Sequence, residues 1–271
     1  MKRLVQEKLF TAILYFIMAS CTRSNGLVNV AFIAYYALAH ALTNPTPLYK
    51  SLLQLVATLA YALAILVPFA AVNLYAYNQH CTGTSDTETP AWCHRSPLPL
   101  VYSHVQENHW KLGAFAYYRL RKTPNFLLAT PLVCLVGAGS FHYMRARGLG
   151  ELKHLGLATT SSVAARASGL MAFTGRNLFC YVVHANFLVG FALVFMHVEV
   201  VTRLLMSSSP LPYWIAASLL LGDLERRDAS AVSAWAFLAD LRATPARLVA
   251  AYFLGYFLVG TLLHANFLPW T

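Results

Sequence analysis

Apolar runs approaching twenty residues recur along this chain, and few charges interrupt them. A helix of about 20 apolar residues crosses a hydrocarbon core of about 30 Å and satisfies its own backbone polar groups there. The charged fraction is 11% against 58% hydrophobic, whereas a water-soluble domain carries about 25% charged residues. The runs cover residues 9–21, 27–42, 52–75, 126–143, 178–201 and 248–268. A further stretch, 210–221, is too short to cross alone and reads as re-entrant or interfacial. The expected fold is all-α: a polytopic transmembrane helical bundle of about six spans plus that short segment. We read residues 1–271 as a single multi-span membrane domain.

Basic residues set the expected orientation. The tail 1–8 and the loop 144–177 hold Lys2, Arg3, Lys8, Arg145, Arg147, Lys153, Arg166 and Arg176, which places them in the cytosol. The loop 76–124 and the region 202–247 then face the lumen or the exterior. The net charge of +10 is scattered among these loops and forms no stripe, so nucleic acid is not an expected partner. Basic groups at membrane edges meet lipid headgroups instead. Cys21, Cys134 and Cys180 lie in or beside apolar runs and read as small buried hydrophobes. Cys81 and Cys93 share the loop 76–124. In an oxidising compartment they are a candidate disulfide, and two free thiols are the alternative. No metal motif, phosphate-binding loop or cofactor fingerprint occurs.

Two stretches concentrate polar chemistry at the ends of apolar runs. In "CTRSNG" (21–26) an arginine separates the first two runs. Ser24 or Asn25 can cap the helix that follows, and Arg23 beside that helix start makes an anion site. A headgroup contact by a snorkelling Arg23 is the alternative. In "YSHVQENHWKLGAFAYY" (102–118), Tyr102, Gln106, Trp110, Gly113 and Tyr117 share one face if the stretch is helical. Aromatic faces with amides suit sugar rings, and an aromatic belt at headgroup depth is the alternative. His184 and His197 lie within the fifth run and Arg203 just beyond it. An intramembrane histidine is a candidate site residue or an interhelical hydrogen-bonding group. Arg203, before "SSSP", is a candidate interfacial phosphate contact.

"CTRSNG", "PLVYSHVQENHWKLGAFAYYRLRKTPNFLLATP" (99–131), "YVVHA" (181–185), "MHVEVVTRLLMSSSPLPYW" (196–214) and "LGYFLVGTLLHANFLPWT" (254–271) occur in order. Together they resemble the C-terminal portion of the PIG-V family of GPI mannosyltransferases. The resemblance implies a multi-pass enzyme of the endoplasmic reticulum membrane with the GT-C-like architecture. Such an enzyme transfers the second mannose, in α-1,6 linkage, from dolichol-phosphate mannose to a GPI-anchor intermediate. It also implies a lumenal site, with an acidic base in a first lumenal loop that this chain does not carry over, so no catalytic residue is assigned. By the same resemblance, Arg23 and Asn25 would hold a phosphate, and Tyr102, Gln106 and Trp110 would line the sugar path. Asn125 would close that segment, and His184 and Arg203 complete the substrate-binding set. The implied ligands are dolichol-phosphate mannose, the GPI intermediate and membrane lipids, with no cofactor; no metal-ligand residues are assigned, and the sequence does not fix the metal requirement. A non-catalytic membrane subunit and a lipid or solute transporter remain as alternatives.

Overall fold

A computed structural model describes residues 9–44, 46–82, 89–95, 98–148, 150–157, 178–225 and 244–266. Most of the basic loop that sets the expected orientation, and the acids Asp86 and Glu88, lie outside the described residues. Among the described residues the regular structure is helical, with no strand. The chain divides into two compact units, Met1–Ala116 and Tyr117–Thr271.

In the first unit, α1 (Leu9–Thr22) ends where the Thr22 hydroxyl donates to the Ala19 carbonyl at 2.9 Å. Arg23 is extended, and a 3-10 turn (Ser24–Asn29) runs directly into α2 (Val30–Thr43). Pro47 precedes α3 (Leu48–His80), which carries Pro68 in its interior. Both α1 and α2 pack on α3. Ala12, Ile13, Phe16, Phe32, Ile33 and Ile65 are buried, and Phe16 stacks on Phe32 at 6.1 Å. At 1.5 Å per residue α3 is about 50 Å long, longer than a bilayer core of about 30 Å. Its apolar run ends at Tyr75, and "AYNQH" follows (76–80). Asn73 is an amide within the last turn of that run. Leu52, Leu55, Val56, Leu59 and Leu63 on α3 are exposed, as lipid-facing residues are. A 3-10 turn (Ala91–His94), then α4 (Val101–His104) extended by a π-helical turn (Val105–His109), complete this unit.

The second unit begins its main helix with Pro124 in the first turn, where a missing N–H costs nothing. This is α5 (Thr123–Arg147), closed by Gly148 at φ 86°. It is followed by α6 (Gly150–Lys153), α7 (Phe179–Phe195), α8 (Glu199–Ser208), α9 (Leu211–Glu225) and α10 (Pro245–Ala265). α5 packs against α7, α8 and α9, and α9 packs against α10. Gly139 admits the Ile215 side chain so closely that a Cβ there would lie 2.3 Å from it. The Asn186 amide donates to the Ser140 hydroxyl at 2.7 Å, joining α7 to α5. α8 and α9 meet at a bend of 80°. The Leu211 N–H donates to the Ser209 hydroxyl at 3.3 Å, and the Tyr213 hydroxyl donates across the bend to the Met206 carbonyl at 2.9 Å.

Among the described residues, four helices are long and apolar enough to cross a membrane, or five if the bent pair is one span. Leu9–Thr22 and Phe179–Phe195 are shorter apolar helices. The multi-span, all-helical expectation holds, with two boundaries displaced. The run 178–201 is not one helix: it stops at Phe195, Met196 is extended, and a new helix starts at Glu199. The loop expected from residue 76 begins only after His80, because α3 continues through the polar sequence beyond its apolar stretch.

Candidate functional site

The chemistry of the first unit gathers where α1, the 3-10 turn and α3 meet. Neither Ser24 nor Asn25 stands at the N-cap position expected for one of them. Both residues lie inside the 3-10 turn, and Arg23 occupies its N-cap position without a side-chain capping bond. The turn is pressed against α1 through Gly26, whose N–H donates to the Arg23 carbonyl at 2.9 Å. Any Cβ on Gly26 would fall 2.5 Å from the Ser20 nitrogen. That contact fixes the exposed Arg23 at the start of a helical stretch running from Ser24 to Thr43, whose N-terminal end favours anions.

The Ser24 hydroxyl hydrogen-bonds the Tyr102 hydroxyl. The Tyr102 ring meets Phe69 of α3 edge-on at 5.4 Å and Trp110 at 6.4 Å. Its backbone N–H donates to Oδ1 of Asn73 at 3.4 Å. Ser24, Tyr102 and Trp110, from two distant stretches of sequence, are therefore brought together, and Arg23 immediately precedes Ser24. Asn25 is half-buried in the 3-10 turn. Trp110 is half exposed, leaving one part of its ring open to a ligand.

The helical face expected across 102–117 ends at residue 109. The Trp110 N–H reaches back five residues to the Val105 carbonyl at 3.1 Å, and Lys111 then turns to φ 50°. One cause is local. The Asn108 amide donates to the ring nitrogen of His104 at 2.9 Å and to the His104 carbonyl at 3.2 Å. It thus competes for the helical acceptor. Gly113 therefore drops off the predicted face, and Tyr117 lies outside this helix altogether. Gln106 is half-buried in the π turn, and its carbonyl accepts the Leu112 N–H at 2.9 Å.

Two ties hold the segment leading into Tyr102. A disulfide joins Cys81, just after α3, to Cys93 in the 91–94 turn, where Trp92 is buried. Maleimide labelling in intact membranes is expected to leave both thiols unmodified until a reductant is added. Labelling of both without reductant would contradict the bond. Arg95 donates to the Glu107 carboxylate at 2.8 Å. This hydrogen bond holds the Glu107 carboxyl below its ordinary value, with the charges of Arg95 and His104 adding to it. A lowered folded-state value means that the tie contributes above the unfolded glutamate value of about 4.3 and is lost as pH falls through the folded value. Trp110 fluorescence, in a protein with its other tryptophans replaced, is expected to change on acidification below the ordinary glutamate range. Glu107→Gln should remove that transition, and its persistence would assign it to another group.

Asn125, His184 and Arg203 lie in the second unit, on three different helices. The Asn125 amide donates to the Tyr117 hydroxyl at 2.7 Å. Tyr117 is buried, stacks on His197 at 4.7 Å, and lies beneath the Lys122 ammonium at 5.1 Å. His184 is buried on α7 and Arg203 is exposed on α8. Sequence reasoning missed Asn73, Phe69 and the Tyr117–His197 pair. The one signal for Asn73 was an amide at the end of an apolar run. Among the described residues no group of three or more His, Cys, Asp or Glu side chains is arranged to hold a metal ion.

Known proteins resemble the chain along its whole length. The model of a mannosyltransferase family, PIG-V, matches residues 1–271. The human protein named GPI alpha-1,6-mannosyltransferase 2 is 33% identical, over all of this chain and 64% of its own length. The rat protein of that name is 34% identical, over 95% of this chain and 61% of its own length. The Drosophila melanogaster GPI mannosyltransferase 2 is 28% identical over 94% of this chain and 57% of its own length. The chain thus spans about three-fifths of the length of these curated relatives. No solved structure matches it. A family match running from the first residue to the last, over a chain of apolar helices, shows that this protein belongs to the PIG-V mannosyltransferase family.

Proposed function

We propose that this chain takes part in an α-1,6-mannosyl transfer that adds the second mannose to a GPI-anchor intermediate, with dolichol-phosphate mannose as donor. The reaction would take place at the endoplasmic reticulum membrane, on its lumenal side. The names of the curated relatives support the reaction and the acceptor. The observation that carries the reading is the grouping of Ser24, Tyr102 and Trp110 against Phe69 and Asn73 near the end of the α3 apolar run, with Arg23 immediately before Ser24. A lipid-linked sugar phosphate presents its phosphate and sugar at that depth, above a polyprenyl chain in the bilayer.

The chemistry asks for two things that these residues supply. As the sugar–phosphate bond breaks, negative charge grows on the departing phosphate in a low-dielectric setting, where a fixed cation is worth far more than in water. Arg23, held by the Gly26 contact at a helix start, is that cation. The sugar presents C–H faces and hydroxyls, which suit the exposed part of Trp110, the edge-on Tyr102 ring and the Gln106 amide. Asn25 borders the phosphate position. In the second unit, taken by itself, Asn125, His184 and Arg203 are proposed as substrate-binding residues, with Arg203 directed to a headgroup phosphate. We assign no base: Glu107 is engaged by Arg95.

The test is restoration of surface GPI-anchored proteins in cells lacking the enzyme. The chain is expressed alone and, separately, joined to the parts of the human relative that it does not match. Restoration by either form is expected. Failure of both, with the protein inserted and stable, would overturn the reading.

A further inference from the structure

We propose that Asn73 is a positioning residue: its amide oxygen caps, from another helix, the segment that carries Tyr102. The proposal rests on the functional reading above, in which Tyr102 borders the sugar.

The first N–H groups of a helix have no partner within it, and an N-cap Ser, Thr, Asp or Asn ordinarily accepts one of them. Here the N-cap is Leu100, whose side chain has no acceptor, and no local side chain caps the helix. The acceptor comes instead from α3, through Oδ1 of Asn73 to the Tyr102 N–H at 3.4 Å. The other end of the same amide is committed, because Nδ2 donates to the Phe69 carbonyl at 2.9 Å. That bond fixes which atom faces Tyr102. Asn73 is only 6% exposed, and a buried amide is costly without partners. A helix as short as Val101–His104 does not hold its shape alone. α3 therefore grips Tyr102 at two points, by the Asn73 amide at the backbone and the Phe69 ring at the side chain. The Tyr102 hydroxyl is then left against Ser24, next to Arg23. Asn73 acts through Tyr102.

Three variants separate capping from packing. Asn73→Leu keeps the branched shape and removes the acceptor. Asn73→Asp keeps an acceptor. Asn73→Leu with Leu100→Ser supplies a cap from the segment itself. Hydrogen exchange of the peptide 98–110 in nanodiscs is expected to be about five- to tenfold faster in Asn73→Leu. It should return toward wild type in Asn73→Asp and in the double variant. Mannosyl transfer in membranes is expected to fall and recover in the same order, by about the same factor. Unchanged exchange in Asn73→Leu would overturn the proposal. So would a loss that neither Asp nor the Leu100→Ser cap restores, since that is the signature of packing. If the wild-type chain transfers no mannose under any condition, the functional reading fails, and the exchange comparison alone decides whether Asn73 is the cap.

Discussion

Arg23→Ala is expected to lower kcat/KM for transfer from the lipid-phosphate donor by about 10- to 100-fold, the equivalent of one hydrogen bond to a charged group. The loss should appear in kcat as well as in KM, because the charge that Arg23 meets is larger in the transition state than in the bound donor. Arg23→Lys keeps the charge but not the planar fork, so an intermediate activity is expected. The assay is transfer of radiolabelled mannose in membranes, with protein amount matched. Unchanged turnover in Arg23→Ala would remove this residue from the site. A change in KM alone would restrict it to holding the donor.

Gly26→Val is expected to cause the largest loss of stability, about 3 kcal/mol or more. Its Cβ would lie 2.5 Å from the Ser20 nitrogen and 2.6 Å from the Ala19 carbonyl carbon. Both are backbone atoms of α1, which cannot swing aside as a side chain can. The 3-10 turn would have to leave α1, carrying Arg23 and Ser24 with it. A drop of several degrees in the thermal midpoint in detergent should therefore accompany loss of transfer. Gly113→Ala is the matched control: its Cβ would meet only the Ala116 Cβ, at 3.7 Å, so a change within about 0.5 kcal/mol is expected. A Gly26→Val protein as stable as wild type would contradict the close approach of the turn to α1.

Where the sequence was legible, it was legible through one-dimensional signals. Long apolar runs announced the helices, and "TRSNG" announced the break between the first two. The prolines at 68 and 131 did not end their helices, because membrane helices tolerate interior proline when neighbours satisfy the freed groups. Tyr102 and Trp110 share a helical face that stops short, yet their rings meet across the π turn. The pairing of Ser24 with Tyr102 joins residues 78 apart in sequence, and no local pattern encodes it. Asn73 was hidden for the opposite reason: a single amide in "AAVNLYAY" reads as the polar end of a span until its partner, 29 residues on, is known. The break after Phe195 was written in His197 and Glu199, polar residues that a run of apolar neighbours masked. His197 stacks on Tyr117, again a contact between distant positions.

The most direct measurement is photolabelling. A dolichol-phosphate mannose analogue with a photoreactive group on the sugar is bound to the protein in nanodiscs, irradiated, and the labelled peptides are mapped. The account predicts label within residues 98–113, competed by unmodified donor and reduced at least tenfold by Arg23→Ala. Label confined to residues 123–147 or 199–225, and indifferent to Arg23, would contradict it.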